Sequence, residues 1–491
     1  MLGTALSVIE QSIITMALIG LLTNLAMRGL LPGFLSQLGQ PGGILSVFGN
    51  SAYASAVIPL TVASVVGIIT VAIIGGGFVY SSEYGVYLQA WNTDNVPVGS
   101  VIENGSRNWK PMAWTFFLSN LITWGPAALV YGLVLLSALS ARSLAGAATL
   151  LITSQLVYPA LAASLILAIF TVYSYPAVIV DKASGLRAIK NSFGAASHNF
   201  GVTLTYCLVR ILFQILLTLM VLLASYISVP LSSLSAVLLS LLLTPILHST
   251  KTMIYYQANP NLPEMDFRLS NPVWYDISRR LPNATWLKIR AGLVEAARFV
   301  IGPKNLPFHL LSVLAFIIGI LVGNYVSTNG VASWLLSQGY VPGQGNPVLR
   351  QVLQRPALGI DIFLNNWLVS IATGLAGIGF AVPSFATILF NGFILGVILP
   401  LSPNLTMFLA AILPHGIIEI PSFVLAGSIG IKLGYAAWKT RIGGTDSKDY
   451  LAHTLRQTVY IVVGLAPIFL IAGLIEADVT PLIMRMFGWV F

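Results

Sequence analysis

An all-α fold that crosses a membrane many times is predicted by two properties of the sequence. Of its 491 residues, 56% are hydrophobic and only 8% are charged, whereas soluble globular proteins carry about 25% charged residues. Apolar runs long enough to cross a hydrocarbon core of about 30 Å also recur along the chain. The composition therefore excludes an ordinary water-soluble enzyme, and the single cysteine, Cys207, excludes an intrachain disulfide.

Eleven apolar segments are expected to form transmembrane helices, because each is long enough to span the hydrocarbon core at about 1.5 Å per residue. In chain order they are 8–28, 55–81, 112–138, 150–177, 200–226, 233–256, 307–326, 363–381, 383–401, 405–438 and 457–476.

The basic residues indicate how the chain is oriented in the membrane. With eleven spans, the N-terminus lies on the same side as the polar connections 83–110, 178–199, 257–306 and 439–456, and 18 of the 24 Lys and Arg residues fall in these segments or their flanks. The positive-inside rule assigns this side to the cytoplasm, and we expect a cell membrane. Basic loops beside anionic lipid explain the net charge of +9, so no nucleic-acid partner is predicted.

The polar stretch 257–306 is expected to divide the chain into a six-span unit over 1–256 and a five-span unit over 307–491. Its second part predicts an amphipathic helix, with Trp286 and Leu293 on one face and basic residues on the others. Such a helix either lies in the membrane interface or packs on the surface of the helix bundle.

Three short motifs distinguish the C-terminal unit: FLNN at 363–366, FNG ending at Gly392, and LPHGIIE at 413–419. In this order they resemble the stage II sporulation protein M family of membrane proteins over about residues 284–476. The resemblance implies a polytopic membrane architecture and a role in organising partner proteins, without implying spore formation.

His415 and Glu419 are the main candidate functional residues, because a spacing of four places them on one helix face at membrane depth. Three explanations stay open for this pair. Glu419 can fix helix packing, either by staying protonated or by bonding His415 and Asn391. The pair can instead belong to an ion or proton pathway, or it can form a metal-binding or catalytic pair. Asn365, Asn366 and Asn391 are expected to hydrogen-bond between helices.

An irregular backbone is predicted near Pro414–Gly416. The segment 405–438 would be about 51 Å long as a straight helix, which is more than one bilayer core requires. Pro414, Gly416 and Pro421 therefore predict a half-helix or re-entrant turn, a device by which transporters bind ions. The alternative is a kinked helix that continues into the cytoplasm.

The N-terminal half loosely resembles multi-pass membrane domains of unknown function, through the segment 175–192. Further along the N-terminal half, Arg210 and His248 are expected at similar depth in neighbouring spans. Gln214 lies on the same helix face as Arg210. These three residues are candidates for contact with an anionic substrate or lipid. Alternatively, the Arg210 side chain extends to the membrane interface.

The sequence contains no recognised catalytic signature such as Walker A, HExxH or GxSxG, so no enzyme, cofactor or metal site is predicted. The expected function is that of a scaffold or membrane subunit of a cell-envelope or export complex. Its expected partners are membrane lipids and a protein or ATPase at the cytoplasmic face, and a homo-oligomer is also compatible with the sequence. The alternative is an ion-coupled or ATPase-assisted transporter of a small molecule or lipid that uses Asn391, His415 and Glu419.

Overall fold

The computed structural model describes most of the chain, and all regular secondary structure in the described residues is helical. The described ranges are 2–40, 46–47, 49–93, 96–97, 99–140, 155–227, 229–258, 281–341, 358–442 and 445–489. Most of the polar stretch ahead of the predicted interfacial helix, residues 259–280, lies outside these ranges.

The helices are named in chain order. In the first half they are α1 (Leu2–Met27), α2 (Leu31–Leu38), α3 (Ser51–Asn92), α4 (Gly99–Ser140), α5 (Val157–Thr171), α6 (Ser174–Val180), α7 (Leu186–His198), α8 (Phe200–Ile227) and α9 (Val229–Gln257). In the second half they are α10 (Leu281–Ile301), α11 (Leu306–Val326), α12 (Ala332–Ser337), α13 (Leu358–Ala376), α14 (Val382–Ile398), α15 (Leu405–Ile442), α16 (Thr445–Gly464), α17 (Ala466–Leu474) and α18 (Thr480–Met486).

The predicted all-α membrane fold is confirmed. Among the described residues, eleven helical stretches are long and apolar enough to cross a membrane, one for each predicted span. Several extend beyond the predicted bounds. The stretches Ser51–Trp91 and Gly99–Val134 together take up most of the polar connection predicted at 83–110, and the last stretch runs from Asp446 to Met486. The chain is therefore a multi-pass membrane protein.

The first helix packs with the C-terminal half of the chain. Leu25 and Leu31 are fully buried in the same hydrophobic core as Phe393, Ile429 and Phe469. Helix α1 contacts α11, α13 and α14 as well as α3. The proposed unit boundary at residue 256 stays a prediction, but the core of the second unit includes helices from the start of the chain.

Helices α11 and α14 cross with their backbones in contact. A Cβ atom added at Gly319 or Gly323 of α11, or at Gly392 or Gly396 of α14, would lie 2.1 Å from a carbonyl oxygen of the opposite helix. Small residues at such a crossing let the two backbones approach closely, and the resulting van der Waals contacts stabilise helix association in lipid. Gly392, which belongs to one of the sequence motifs, therefore lies in a helix-packing interface.

The segment 175–192 connects α6 to α7 through a tight turn. The carboxylate of Asp181 accepts a 2.7 Å hydrogen bond from Nδ2 of Asn191 and another from the hydroxyl of Tyr255 on α9. Gly185, at the start of α7, has a φ of +55°, a conformation that glycine adopts at low cost. This turn holds α6, α7 and α9 together around the N-terminal core.

The predicted break at Pro414–Gly416 is wrong, because α15 is one helix that contains both Pro414 and Pro421. Each proline removes one backbone hydrogen bond, a loss that packed neighbours make tolerable in a transmembrane helix. The atoms nearest to a Cβ atom added at Gly416 belong to Ile412 and Ile420 of the same helix, at 3.2 and 3.3 Å. With a length of about 57 Å, α15 extends beyond the bilayer core, as in the alternative of a protruding helix.

Two π-helical turns occur instead among the described residues, Ser327–Val331 after α11 and Ile475–Val479 between α17 and α18. A π-helical turn widens the helix by one residue and is frequent at functional sites. The second of these turns carries an acidic side chain that faces α15.

We expect Pro414→Ala to leave the protein folded, with an unchanged or slightly higher unfolding temperature. In a continuous helix, alanine restores a backbone donor and removes a helix-breaking ring, which favours the helix by up to about 3 kcal/mol before any repacking cost. Thermal unfolding in detergent, followed by size-exclusion chromatography, measures the effect. A marked fall in unfolding temperature would contradict the continuous helix and favour a proline-dependent turn.

Candidate functional site

His415 and Glu419 lie one turn apart on α15 and reach toward a common point. His415 is buried, and its Nδ1 lies 3.2 Å from Oγ1 of Thr480 at the start of α18. Oε1 of Glu419 accepts a 2.9 Å hydrogen bond from Nδ2 of Asn366 on α13. Oε2 of Glu419 is buried, and no atom of the described residues forms a hydrogen bond with it. One oxygen of this carboxylate therefore remains available for a proton or a cation.

The structure separates the three asparagines named from the sequence. Nδ2 of Asn365 donates a 3.0 Å hydrogen bond to Oδ1 of Asn366, so these residues and Glu419 form a hydrogen-bonded chain. Nδ2 of Asn391 donates to the carbonyl oxygen of Thr387 in its own helix, α14. The suggested bond between Glu419 and Asn391 is therefore replaced by one with Asn366, because α13 rather than α14 presents an amide to this carboxylate.

A second carboxylate, which the sequence motifs did not reveal, completes the cluster. Oε2 of Glu476 lies 3.9 Å from Nε2 of His415, and the π-helical turn Ile475–Val479 carries it. The predicted last span ended at Glu476, which placed this residue at the membrane surface. The apolar residues of α18, which follow Glu476 in the sequence, could have indicated that the span continues beyond it.

The hydrogen bonds around Thr480 define which nitrogen of His415 is free. The Thr480 hydroxyl donates to the carbonyl oxygen of Ile475 at 3.2 Å. Because that hydroxyl has a single proton, it accepts from Nδ1 of His415, and neutral His415 then presents the lone pair of Nε2 toward Glu476. The imidazole is oriented for binding a cation or accepting a proton.

We call His415, Glu419 and Glu476 the carboxylate–imidazole cluster. One ligand atom from each residue lies within 4.8 Å of the other two, and nitrogen and carboxylate ligands suit first-row divalent metals. His415 comes ten residues after the start of α15, and Glu476 ten residues before the end of α18. Both positions correspond to a depth of about 15 Å, near the middle of the hydrocarbon core.

A second polar centre lies in the N-terminal half, and His248 is the residue of this centre that the sequence analysis had singled out. Nδ1 of His248 on α9 lies 2.9 Å from Oε1 of Glu83 on α3. The same carboxylate oxygen accepts a 2.6 Å hydrogen bond from the hydroxyl of Tyr87. The structure therefore pairs His248 with a carboxylate of its own chain, and Glu83 is the residue that the motifs missed.

Lys251, one turn beyond His248 on α9, is almost fully buried at 4% exposure. Its ammonium lies 5.1 Å from the ring centre of Tyr84 and 5.5 Å from that of Tyr175, distances at which cation–π attraction operates. In the described part of the chain no carboxylate forms an ion pair with Lys251, although the charge of Glu83 acts on it from further away. The hydroxyl of Tyr84 is buried, and the described part of the chain provides no hydrogen-bond partner for it.

Arg210 and Gln214 lie on the exposed surface of α8, whereas His248 lies in the interior. The most apolar part of the α8 span contains no buried residue. The guanidinium of Arg210 makes no hydrogen bond or ion pair with the described residues. The contact of these three residues with an anion or lipid stays a prediction. Arg210 and Gln214 could make it from the surface, whereas His248 lies in the interior.

Comparison with known proteins places the C-terminal half in a family. Residues 312–481 match the family described as Stage II sporulation protein M. Over 132 residues the chain is 30% identical to an uncharacterized protein of Methanocaldococcus jannaschii, covering 25% of this chain and 70% of that protein. No solved structure matches the chain. The chain belongs to this family, and the matched range contains the whole carboxylate–imidazole cluster.

Proposed function

We propose that this member of the stage II sporulation protein M family is a cation transporter, and that its carboxylate–imidazole cluster binds the transported cation. The convergence of His415, Glu419 and Glu476 at mid-membrane depth supports the proposal. An acidic side chain at the centre of a transmembrane helix costs about 2.5–3.5 kcal/mol on insertion scales. A helix-packing contact alone could be made by uncharged amides at lower cost.

The hydrogen bonding favours a cation over an anion at this site. The buried Oε2 of Glu419 receives no hydrogen bond from the residues that the structure describes, and Nε2 of His415 presents a lone pair beside Glu476. These are acceptor atoms, which a proton or a metal cation satisfies and an anion does not. The side chain of Glu476 is 34% exposed against 11% for His415, so the cluster is most accessible on the Glu476 side.

Ion flux into proteoliposomes tests the proposal directly. One set of vesicles holds a pH-sensitive dye and a second set holds a Zn²⁺-sensitive dye, and a potassium diffusion potential drives cation entry. We expect the wild-type protein to admit H⁺ or Zn²⁺ faster than empty vesicles. Glu419→Gln removes a charge-assisted contact worth about 1.5–3 kcal/mol and should slow entry about tenfold or more.

Glu103→Gln is the matched control, because Glu103 is exposed on α4 away from the cluster. This variant should transport at the wild-type rate. If the wild-type protein moves neither ion faster than empty vesicles, the transporter proposal fails. If Glu419→Gln and wild type move ions at equal rates, the assignment of the cluster fails while transport stands.

A membrane subunit of an envelope or export complex is the second candidate. The exposed Arg210 and Gln214 near the middle of α8 favour it, because a guanidinium facing lipid is costly unless a partner or the interface receives it. A transmembrane helix of another protein, or of a second copy, would cover this surface. An ATPase at the cytoplasmic face would act through the basic loops.

Native mass spectrometry of protein extracted gently from its own membranes separates the two candidates. A second protein bound in fixed stoichiometry, and lost on Arg210→Leu, would support the subunit role. Recovery of the chain with lipid alone would oppose that role and leave the flux experiment to decide on transport.

A further inference from the structure

A basic cleft opens between α10 and α16. It has a volume of about 500 Å³, and four of its lining side chains are basic: Arg290 and Arg298 from α10, and His453 and Arg456 from α16. All four are exposed. Glu295 is the acidic residue of the lining, so three guanidinium groups face one carboxylate.

The floor of the cleft is held in place by packing and hydrogen bonds. A Cβ atom at Gly292 would lie 2.1 Å from the carbonyl oxygen of Tyr460, so the two helices touch there through their backbones. Nε2 of Gln457 donates a 2.6 Å hydrogen bond to Oε1 of Glu295, and Nζ of Lys432 donates a 2.8 Å bond to Oε1 of Gln457. The carboxylate of Glu295 thus already accepts a hydrogen bond from the floor of the cleft.

The arginine side chains that line the cleft form few interactions with the rest of the described protein. Arg298 approaches Glu295 only to 3.9 Å and its side chain is 72% exposed. The guanidinium of Arg456 lies 5.5 Å from the ring centre of Tyr460. Arginine forms paired hydrogen bonds with phosphate oxygens, so the cleft offers such a group several donors from two helices.

The cleft lies at the membrane boundary. Helix α10 exposes Trp286, Leu287 and Ile301 at 66%, 63% and 79%, and the next membrane span begins at Pro303. An amphipathic helix with exposed Trp and Leu beside a span fits the interfacial zone, where phospholipid headgroups lie. Both soluble and lipid-borne phosphates can reach such a position.

We propose that the cleft between α10 and α16 binds a phosphate group, carried by an anionic phospholipid or by a soluble phosphate compound. The guanidinium groups of Arg290 and Arg456, one from each helix, contact the phosphate oxygens, and Arg298 and His453 border them. Occupancy joins α10 to α16 and so fixes the interfacial helix on the bundle. The site is separate from the carboxylate–imidazole cluster, and it stands whether or not the protein transports ions.

The test uses the full chain in phosphatidylcholine nanodiscs with and without phosphatidylglycerol. Native mass spectrometry counts retained phosphatidylglycerol, and thermal unfolding with added pyrophosphate reports binding of a soluble phosphate. We expect one ligand class to bind the wild type and Arg290→Gln/Arg456→Gln to weaken its binding about tenfold or more, because two charge-assisted contacts are lost. Retained phosphatidylglycerol identifies a lipid site, and a response to pyrophosphate alone identifies a soluble ligand.

Arg187→Gln/Lys190→Gln is the matched control, since it removes two exposed charges from α7. It should bind both probes as the wild type does. Both double variants should unfold at the wild-type temperature in phosphatidylcholine alone. Equal ligand binding by the wild type and the cleft variant, or no binding of either probe to the wild type, would overturn the assignment.

Discussion

Gly392→Val is expected to leave almost no folded protein in the membrane. The new Cβ would lie 2.1 Å from the carbonyl oxygen of Phe316, and this atom belongs to the backbone of α11, so no side-chain rotation relieves the clash. Separating α11 from α14 would disturb three more glycine contacts of the same kind. The cost should equal a large part of the total stability of about 5–15 kcal/mol that proteins possess. Fluorescence-detected size-exclusion chromatography of a tagged protein measures the loss.

Gly132→Val is the control for this experiment. Apart from its own stretch of helix, no atom of the described residues would lie within 4 Å of a Cβ atom added at Gly132, which is also inside a transmembrane helix, α4. The control should therefore elute as the wild type does. A monodisperse Gly392→Val protein with a wild-type unfolding temperature would show that α11 and α14 do not cross as described.

The second large effect is expected for Glu83→Ala, which should lower the free energy of unfolding by about 3 kcal/mol or more. Removal of this carboxylate takes the acceptor from the Tyr87 hydroxyl and from Nδ1 of His248. It also removes the negative charge that acts on the buried Lys251 ammonium. Thermal and denaturant unfolding in detergent measure the change.

Two further variants identify the cause. Glu83→Gln keeps a hydrogen-bond acceptor without the charge, so its loss of stability should be smaller than that of alanine. Glu83→Ala combined with Lys251→Met removes both charges and should recover part of the loss. Equal stability of Glu83→Ala and wild type would show that the N-terminal polar centre contributes nothing to the fold.

The sequence predicts the membrane spans well because the bilayer imposes one simple requirement on each of them. Lipid cannot hydrogen-bond to the backbone, so apolar segments of sufficient length become helices whatever their neighbours are. The segment 405–438 shows the limit of this rule. Its prolines and its length predicted a break, but α15 remains continuous because surrounding helices and its protrusion from the bilayer accommodate both features.

Two of the three residues of the carboxylate–imidazole cluster follow from local sequence. His415 and Glu419 share a helix face because their spacing is four residues, and that relation needs no tertiary information. Asn366 and Glu476 could not be assigned in the same way. They lie 53 and 57 positions from Glu419 along the chain. The helical period relates residues within one helix and does not predict which residues of two different helices come into contact.

Hydropathy and residue spacing were thus sufficient for the fold class, the eleven spans and the pair His415 and Glu419, because the bilayer and the helical period act on each segment separately. The partners of that pair, the packing of α1 in the C-terminal core and the pairing of Glu83 with His248 depend on contacts between distant helices. Such contacts depend on the shapes of side chains and on the glycines where two helices cross. Composition and helical periodicity describe each segment separately and therefore do not predict them.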